Sequence, residues 1–216
     1  RDRNTKTGAF ERVDSMFRDF ITADGTSGFK AEPGRYHLFV ADNCPWAHRT
    51  VMYRKLKKLE DVVSMSLSDR PKAEGWGYSK GIDEIQPATG KVFYLHQLYT
   101  SMEPNCTSKV TVPTLWDREK STIVNNESSE IIRMLNSEFD EWGDASVDLY
   151  PESLRGEIDE LNDRIYRTIN NGVYRCGFAK SQEAYEEAFH KMFATWDMLE
   201  ERLSKSRYLV GELLTE

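Results

Sequence analysis

The residues best suited to chemistry lie in one short segment, residues 43–49, with the sequence Asn-Cys-Pro-Trp-Ala-His-Arg. Pro45 suits the first position of a helix, and apolar residues recur after it at helical spacing. Cys44 would then precede a helix, where unpaired N–H groups and the helix dipole favour a thiolate. His48 and Arg49 would add to this effect if they face the same way. The alternative is a small, buried, unreactive cysteine, but the helix start favours Cys44 as a nucleophile.

The position three residues after Cys44 decides which partner its thiol needs. Redox proteins with a C-x-x-C motif use the second cysteine to resolve the mixed disulfide formed by the first. Ala47 stands at that position, so an external thiol must resolve the disulfide, and glutathione is the abundant candidate. Cys106 and Cys176 are alternative resolving groups, although each also fits an inert thiol. The sequence therefore predicts a monothiol enzyme with glutathione as co-substrate, whose thiolate attacks sulfur and forms a mixed disulfide.

Two further motifs could bind the peptide-like part of glutathione. Pro113 interrupts an alternating run, and proline is excluded from a central strand unless its missing N–H is useful or its peptide bond is cis. In a thioredoxin-like fold a cis proline faces the active cysteine and leaves the backbone of Val112 for glutathione; the alternative is an edge-strand proline. Glu127 and Ser128 stand at a helix start, where Glu127 could take the γ-glutamyl ammonium and Ser128 the γ-glutamyl carboxylate. Capping alone would also explain Ser128.

The elements that would position these groups follow the thioredoxin-like order. Strand, helix and strand come first and form a βαβ unit, and a long insertion, two strands and a helix follow. An insertion of this length inside a compact domain is usually functional or partly structured. The predicted elements are strands over residues 35–41 and 63–67, a helix from Pro45 to near Glu60, an insertion over 69–108 with a short helix near its end, strands over 110–116 and 121–124, and a helix that opens at 125–130 with Ser128 as its cap.

From Pro151 onward the apolar spacing becomes that of long helices, over residues 154–169 and 182–203. A thioredoxin-like α/β domain followed by an all-α domain is the architecture of glutathione transferases. Thr215 resembles the N-cap of a following helix, so we expect a partial helical domain in an apparently truncated chain. The predicted division is an N-terminal arm over residues 1–30, to which we assign no catalytic role, a thioredoxin-like glutathione-binding domain over 31–138, a linker over 139–150 and a helical domain over 151–216.

The composition is that of an ordinary globular protein, with 39% hydrophobic and 30% charged residues among 216. No apolar window is long enough for a membrane span, so no membrane association is expected. The formal charge of −7 and the mixing of basic with acidic residues argue against nucleic-acid binding. Three cysteines without repeated spacing form neither a disulfide framework nor a zinc site. A reducing compartment, the cytoplasm, is therefore the expected location.

Three motifs together resemble one known family, the glutathionyl-hydroquinone reductases, also called Xi-class glutathione transferases. The resemblance covers essentially the whole chain, and the first and third motifs are specific to this class. It implies reduction of glutathionyl-hydroquinones to hydroquinones at the expense of glutathione, a role in quinone metabolism and a homodimer. The motifs are Cys-Pro-Trp-Ala-His-Arg-Thr at 44–50, Val-Thr-Val-Pro with Leu-Trp-Asp at 110–117, and Ile-Val-Asn-Asn-Glu-Ser-Ser-Glu-Ile-Ile at 123–132, and the segments 34–38 and 170–174 fit as well.

The resemblance also implies a set of glutathione-binding residues. Trp76 would form a wall of the site, although a packed loop aromatic is the alternative. Lys109 stands where the family usually has an arginine, which keeps the charge but loses the bidentate fork for a carboxylate. Val112 would pair with glutathione through its backbone, and Glu127 with Ser128 would hold the γ-glutamyl end.

The hydroquinone half of the site is implied by the resemblance alone. Tyrosines of the helical domain bind the hydroquinone in this family and are candidates for its protonation. Tyr174 is the catalytic candidate here, and Tyr166 is the fallback, with helix packing as its alternative role. Other such tyrosines would lie beyond Glu216. Cys44 would attack the glutathione sulfur of the conjugate, release the hydroquinone and become glutathionylated, and a second glutathione would then release oxidised glutathione.

Two other functions stay open at this point. An omega-like thiol transferase that reduces dehydroascorbate or small mixed disulfides would share Cys44 and its mechanism. A non-catalytic binder of glutathione or phenolic ligands would need no reactive Cys44. Turnover of a glutathionyl-hydroquinone, and its dependence on Cys44, separates the three hypotheses.

Overall fold

The computed structural model describes residues 4, 6–69, 73–78 and 93–216. It divides into two compact units, a sheet unit over Ser15–Val147 and a helical unit that joins the described part of Arg1–Asp14 to Asp148–Glu216. The residues predicted as one arm are therefore shared between the units, and the predicted linker is divided at Val147. The sheet unit includes residues 15–30 because they pair with its strands, as in the 3.0 Å hydrogen bond from the Asp19 N–H to the Val124 carbonyl.

The described part of the sheet unit contains four strands, β1 (Tyr36–Val40), β2 (Ser64–Leu67), β3 (Thr114–Asp117) and β4 (Thr122–Asn125). Their order in the sheet is β2-β1-β3-β4, with β1 parallel to β2, antiparallel to β3, and β3 antiparallel to β4. This is the predicted thioredoxin-like arrangement. All five residues of β1 are buried, so this central strand is covered on both faces.

The strand predicted over residues 110–116 is shorter in the structure. β3 begins at Thr114, directly after Pro113. Proline has no N–H to donate to a strand ladder, so pairing starts only after it. The residues before Thr114 form an irregular segment that reaches towards Cys44 instead.

Three described helices belong to the sheet unit, α1 (Pro45–Leu56), α2 (Leu95–Met102) and α3 (Ser128–Ser137). α1 begins at Pro45 as predicted but ends before Glu60. Lys58 takes a left-handed φ of 55°, and the Leu59 N–H returns to the Arg54 carbonyl at 2.8 Å. Such a residue ends a helix by satisfying its last carbonyl groups locally.

The prediction that Ser128 caps α3 is wrong. Glu127 is the N-cap, and its carboxylate accepts the Ser129 N–H at 3.3 Å. Ser128 is instead the first residue of the helix. An acidic side chain at this position also interacts favourably with the positive end of the helix dipole.

The helical unit contains α4 (Arg155–Ile165), α5 (Gly172–Phe178) and α6 (Gln182–Leu203). The bounds predicted for α6 are confirmed, and Ser181 caps it by accepting the Ala184 N–H at 3.1 Å. The helix predicted over 154–169 is less regular, because its last turn widens to a π-helical turn over Tyr166–Asn170. None of the described helices has the length and apolar character that a membrane span requires. The apolar core of this unit consists of Ile158, Leu161, Ile169, Leu199 and Val210.

Candidate active site

Cys44 occupies the turn between β1 and α1, as the N-cap residue of that twelve-residue helix. Its backbone is extended, and its carbonyl accepts the His48 N–H at 2.9 Å. The half-buried side chain does not cap the helix, and Sγ donates to the Val112 carbonyl at 3.3 Å. Only the S–H form can make this bond. The helix N-terminus favours the thiolate and the carbonyl favours the thiol, so the two act on Cys44 in opposite directions.

The segment beside Cys44 ends in a cis peptide bond between Val112 and Pro113. Val112 is buried, and no residue in the described part of the chain accepts its N–H. A buried backbone donor normally finds an acceptor. The backbone of Val112 therefore has an unused donor next to Cys44, where the peptide-like part of a ligand can accept it.

Tyr99 of α2 holds this segment in place, and sequence reasoning did not identify it. Its hydroxyl accepts the Thr111 N–H at 3.4 Å and the side-chain amide of Asn126 at 3.1 Å. It lies 3.2 Å from Thr114 Oγ1, which itself donates to the Thr111 carbonyl, so Tyr99 is the donor to Thr114. One buried hydroxyl thus connects the proline segment to the loop that leads to Glu127. These partners are distant in sequence, so no local pattern indicates them.

Glu127 is surrounded by hydrogen-bond donors. Oε1 accepts the Ser129 N–H at 3.3 Å and the Ser129 hydroxyl at 3.0 Å, and Oε2 accepts the Ser15 hydroxyl at 3.0 Å. A carboxylate has about four acceptor directions, so these neighbours leave acceptor capacity for a cationic group. Ser15 was also missed by sequence reasoning, since it lies in the segment that was given no role.

Arg49 links the helix of Cys44 to the start of α3. Its Nε and Nη2 donate to Ser128 Oγ at 3.0 and 2.7 Å, and Nη2 lies 3.7 Å from Glu127 Oε1. Its guanidinium carbon is 5.4 Å from the centroid of the Trp46 ring. From the sequence, Arg49 is predicted only to aid the Cys44 thiolate. The structure adds its contacts with the motif at Glu127 and Ser128.

Trp76 and Lys109, the other residues predicted to bind glutathione, lie on the segments that lead to α2 and to Val112. Trp76 is half-buried, and its carbonyl accepts the Leu95 N–H at 2.9 Å at the start of α2. Lys109 is exposed on the loop that leads to Val112. Neither position tests whether the residue binds glutathione, so the roles of Trp76 and Lys109 stay predictions.

The two other cysteines have different surroundings from Cys44. Cys106 Sγ lies 3.2 Å from the Ser108 hydroxyl. Burial raises the pKa of the Cys176 thiol, which disfavours the reactive thiolate. Neither stands at the N-cap of a described α-helix, so the helix-start argument applies to Cys44 and to neither of them.

Tyr174 lies within an aromatic cluster of the helical unit. Its ring centroid is 6.3 Å from that of Phe10 and 6.2 Å from that of Phe178. The Arg12 guanidinium lies 4.6 Å from the Tyr174 ring centroid, and Arg12 Nε donates to Asn171 Oδ1 at 2.6 Å. The N-terminal residues therefore support a tyrosine predicted to bind substrate. The contact between Arg12 and Tyr174 joins residues far apart in sequence and produces no local motif, so the sequence did not indicate it.

The fallback residue Tyr166 begins the π-helical turn, and its carbonyl accepts the Asn171 N–H at 2.9 Å. Both tyrosines are half-buried. The helical unit taken by itself does not favour one of them as the hydroquinone ligand. The roles of Tyr174 and Tyr166 stay predictions.

Comparison with known proteins extends this assignment beyond the geometry. The model of the glutathione S-transferase N-terminal domain matches residues 43–138. Over its whole length the chain is 48% identical to the glutathionyl-hydroquinone reductase PcpF of Sphingobium chlorophenolicum and covers 68% of that protein.

Two solved structures have the same architecture. The glutathione transferase Xi from Phanerochaete chrysosporium is 44% identical, with a TM-score of 0.87 over 95% of this chain and 71% of that one. The glutathione-bound structure of YqjG from Escherichia coli K-12 is 45% identical, with a TM-score of 0.83 over 97% of this chain and 69% of that one. These similarities confirm a thioredoxin-like domain followed by a helical one. The chain therefore belongs to the glutathionyl-hydroquinone reductases, the Xi class of the glutathione transferases.

Proposed function

We propose that the protein reduces glutathionyl-hydroquinones to hydroquinones, with glutathione as co-substrate and Cys44 as nucleophile. The observation that carries the proposal is the position of Cys44 at the N-cap of α1, beside the segment of Val112 and Pro113 and with Ala47 at the resolving position. The activity named for the related PcpF and the glutathione bound to YqjG support it.

The reaction needs two successive attacks on sulfur. The Cys44 thiolate attacks the glutathione sulfur of the thioether that joins glutathione to the aromatic ring, so an S–S bond forms and the C–S bond breaks. The electron pair leaves with the ring carbon, which takes a proton, and the hydroquinone departs. The thiolate of a second glutathione attacks the glutathione sulfur of the mixed disulfide and releases oxidised glutathione with the Cys44 thiolate. The conjugate gains two electrons, and two glutathione sulfurs are oxidised to the disulfide.

In this proposal the sheet unit binds glutathione through groups of matching chemistry. The Val112 N–H would pair with the peptide backbone of glutathione, and Glu127 and Ser128 would hold the ammonium and carboxylate of its γ-glutamyl end. Trp76 and Lys109 would complete the glutathione site. Tyr174 would contact the hydroquinone.

Mass spectrometry with glutathionyl-menadiol tests the nucleophile. We expect one added glutathione on Cys44 of the wild-type protein, release of menadiol, and loss of both in Cys44→Ser. The matched variants Cys106→Ser and Cys176→Ser should retain the adduct and the release. An adduct on Cys106 or Cys176 in place of Cys44 would overturn the proposal.

The same assay separates the two other hypotheses. An omega-like thiol transferase would form the adduct from a small mixed disulfide or reduce dehydroascorbate, but it would not release menadiol from its conjugate. A non-catalytic binder would hold glutathione equally well in the wild-type and Cys44→Ser proteins and release no menadiol from either.

The proposal also covers the cellular location and the oligomeric state of the protein. An enzyme that consumes reduced glutathione at a free thiol works in a reducing compartment, so we expect the cytoplasm and a role in quinone metabolism. We expect a homodimer, because the family resemblance implies one. Sedimentation analysis of the purified chain measures its oligomeric state directly.

A further inference from the structure

We infer that Arg49 is a positioning residue for glutathione: it commits the Ser128 hydroxyl to donate its hydrogen to the γ-glutamyl carboxylate. The inference deepens the proposed function and rests on its glutathione site. It concerns recognition of one end of the ligand and not the chemistry at Cys44.

The hydrogen-bonding capacity of a serine hydroxyl limits what Ser128 can do. The hydroxyl has one hydrogen to donate and two lone pairs that accept. Arg49 Nε and Nη2 both donate to Ser128 Oγ, at 3.0 and 2.7 Å, so Arg49 occupies both lone pairs. The hydroxyl hydrogen of Ser128 is then the one group left to make a bond.

That hydrogen has no acceptor among the residues that the structure describes, although Ser128 is only 3% exposed. An unmade hydrogen bond of a buried donor is unfavourable, so an acceptor supplied by a ligand gains free energy. The Ser128 N–H likewise has no acceptor in the described part of the chain. Two donors of one residue are therefore available at the beginning of the ten-residue helix α3.

The charges around these donors select a carboxylate. The N-terminus of α3 and the guanidinium of Arg49 are both positive, which favours an anion at Ser128. Glu127, one residue earlier, has remaining acceptor capacity for a cation. A carboxylate and an ammonium on one carbon atom, as at the γ-glutamyl end of glutathione, match this pair of neighbours.

Arg49 is itself held in position. It lies on the helix that Cys44 caps, its side chain is 26% exposed, and its guanidinium stacks on Trp46. One helix therefore carries the nucleophile and fixes the donor for the opposite end of the ligand. Loss of the Arg49 fork should free the Ser128 hydroxyl to rotate and weaken its discrimination for a carboxylate.

The test compares two ligands that cannot undergo thiol exchange. They are S-methylglutathione and its analogue without the γ-glutamyl carboxylate, S-methyl 4-aminobutyryl-cysteinylglycine. Calorimetry should give the wild-type protein a preference of roughly thirtyfold for the ligand with the carboxylate, the size expected for charge-assisted hydrogen bonds. Arg49→Met should raise the Kd of S-methylglutathione about tenfold and change the Kd of the analogue by less than about twofold.

Three variants make the result specific. Ser128→Ala should lose most of the same preference. Adding Arg49→Met to Ser128→Ala should weaken S-methylglutathione binding by much less than the roughly tenfold effect of Arg49→Met alone, because the main effect of Arg49 acts through the Ser128 hydroxyl. Arg49→Lys keeps the charge but can fill only one lone pair, so it should recover part of the preference. Lys55→Met removes an exposed cation from the same helix, one that pairs with Glu60, and should leave both Kd values unchanged. Circular dichroism confirms that each variant is folded.

Equal weakening of both ligands by Arg49→Met would show a structural role and overturn the inference, as would full recovery of the preference by Arg49→Lys. If Arg49→Met fails to fold, Arg49→Lys and Ser128→Ala carry the same comparison. The outcome is independent of turnover, since neither ligand can form a mixed disulfide. Failure of the proposed reductase activity with intact discrimination would leave the inference standing.

Discussion

The interiors of the two units are built from different groups. Among the described residues, every buried polar or charged side chain lies in the sheet unit except Asn171 and Thr195. The sheet unit uses such groups to hold irregular segments around Cys44, as Asn126 does when it donates to Tyr99. The helical unit is held mainly by apolar side chains. Directional bonds fix loops in one geometry, whereas apolar burial is non-directional, so the polar groups are found where irregular segments surround Cys44.

The largest expected effect concerns the chemistry assigned to the sheet unit. Cys44→Ala should lower kcat/KM for glutathionyl-menadiol by about a thousandfold or more, because no other thiol takes the place of the nucleophile. The Kd of S-methylglutathione should change by less than about threefold, since its proposed binding groups are intact. Steady-state kinetics and calorimetry measure the two quantities. Residual turnover within about tenfold of wild type would place the reactive group elsewhere.

The next prediction tests whether buried polar groups stabilise the sheet unit. Lys57 has a fully buried side chain, and its Nζ donates to Asp140 at 2.8 Å and to the Val147 carbonyl at 2.7 Å. Lys57→Met keeps the apolar stem but leaves both acceptors without this donor. We expect the free energy of unfolding to fall by about 2–3 kcal/mol. This is near the low end for a broken buried ion pair, because Asp140 is half-exposed.

Native-state hydrogen exchange at the amides of β1 measures this loss. Lys58→Met is the matched control, because Lys58 is the adjacent lysine, pairs with Asp144 and has an exposed side chain. It should leave exchange in β1 nearly unchanged. Equal effects of the two substitutions would contradict a special role for the buried lysine.

The same contrast explains which features the sequence could predict. The bounds of α6 were predicted from its helical character, and the helix start after Cys44 was predicted from Pro45. These signals are local. Helices α4 and α6 were accessible for the same reason, apart from the π-helical turn, where helical spacing continues while the hydrogen bonding changes. The short helix α5 was not predicted.

The polar network of the site could not be predicted in this way. Ser15 contacts Glu127 and Tyr99 contacts Asn126 across long stretches of chain. A hydroxyl carries no periodic pattern that identifies its partner. Arg49 is the clearest example. Its position one turn after Cys44 predicts that it could favour the Cys44 thiolate, but nothing in the sequence indicates that its side chain also contacts Ser128.

A smaller effect is expected from pH, again in the sheet unit. Burial, assisted by Arg118 and Arg54, lowers the pKa of His37 to about 3, and its ring nitrogens lie 2.8 and 2.9 Å from the Ser64 and Ser66 hydroxyls. In the unfolded chain a histidine binds a proton near pH 6.5, whereas folded His37 stays neutral until about pH 3. Between these values the unfolded state binds more protons, so stability falls as pH falls, by up to about 1.4 kcal/mol per pH unit.

Urea unfolding from pH 8 to pH 5 can isolate this contribution. His37→Gln removes the titrating group, so below about pH 6.5 its stability should fall less steeply than that of wild type by up to about 1.4 kcal/mol per pH unit. Above about pH 7 the two curves should run parallel. Parallel curves throughout would mean that His37 does not remain neutral in the folded protein.

The smallest expected effect concerns the helical unit, where the residue predicted to bind the substrate, Tyr174, is held by aromatic stacking. Tyr174→Phe removes the hydroxyl but keeps the ring that contacts Phe10 and Arg12. It should lower kcat/KM for glutathionyl-menadiol about fivefold, the value of one hydrogen bond, and leave the Kd of S-methylglutathione unchanged. Tyr166→Phe is the matched control and should change kcat/KM by less than about twofold. A larger loss for Tyr166→Phe would exchange the two roles, whereas no loss for either would mean that neither of these two phenols bonds to the substrate.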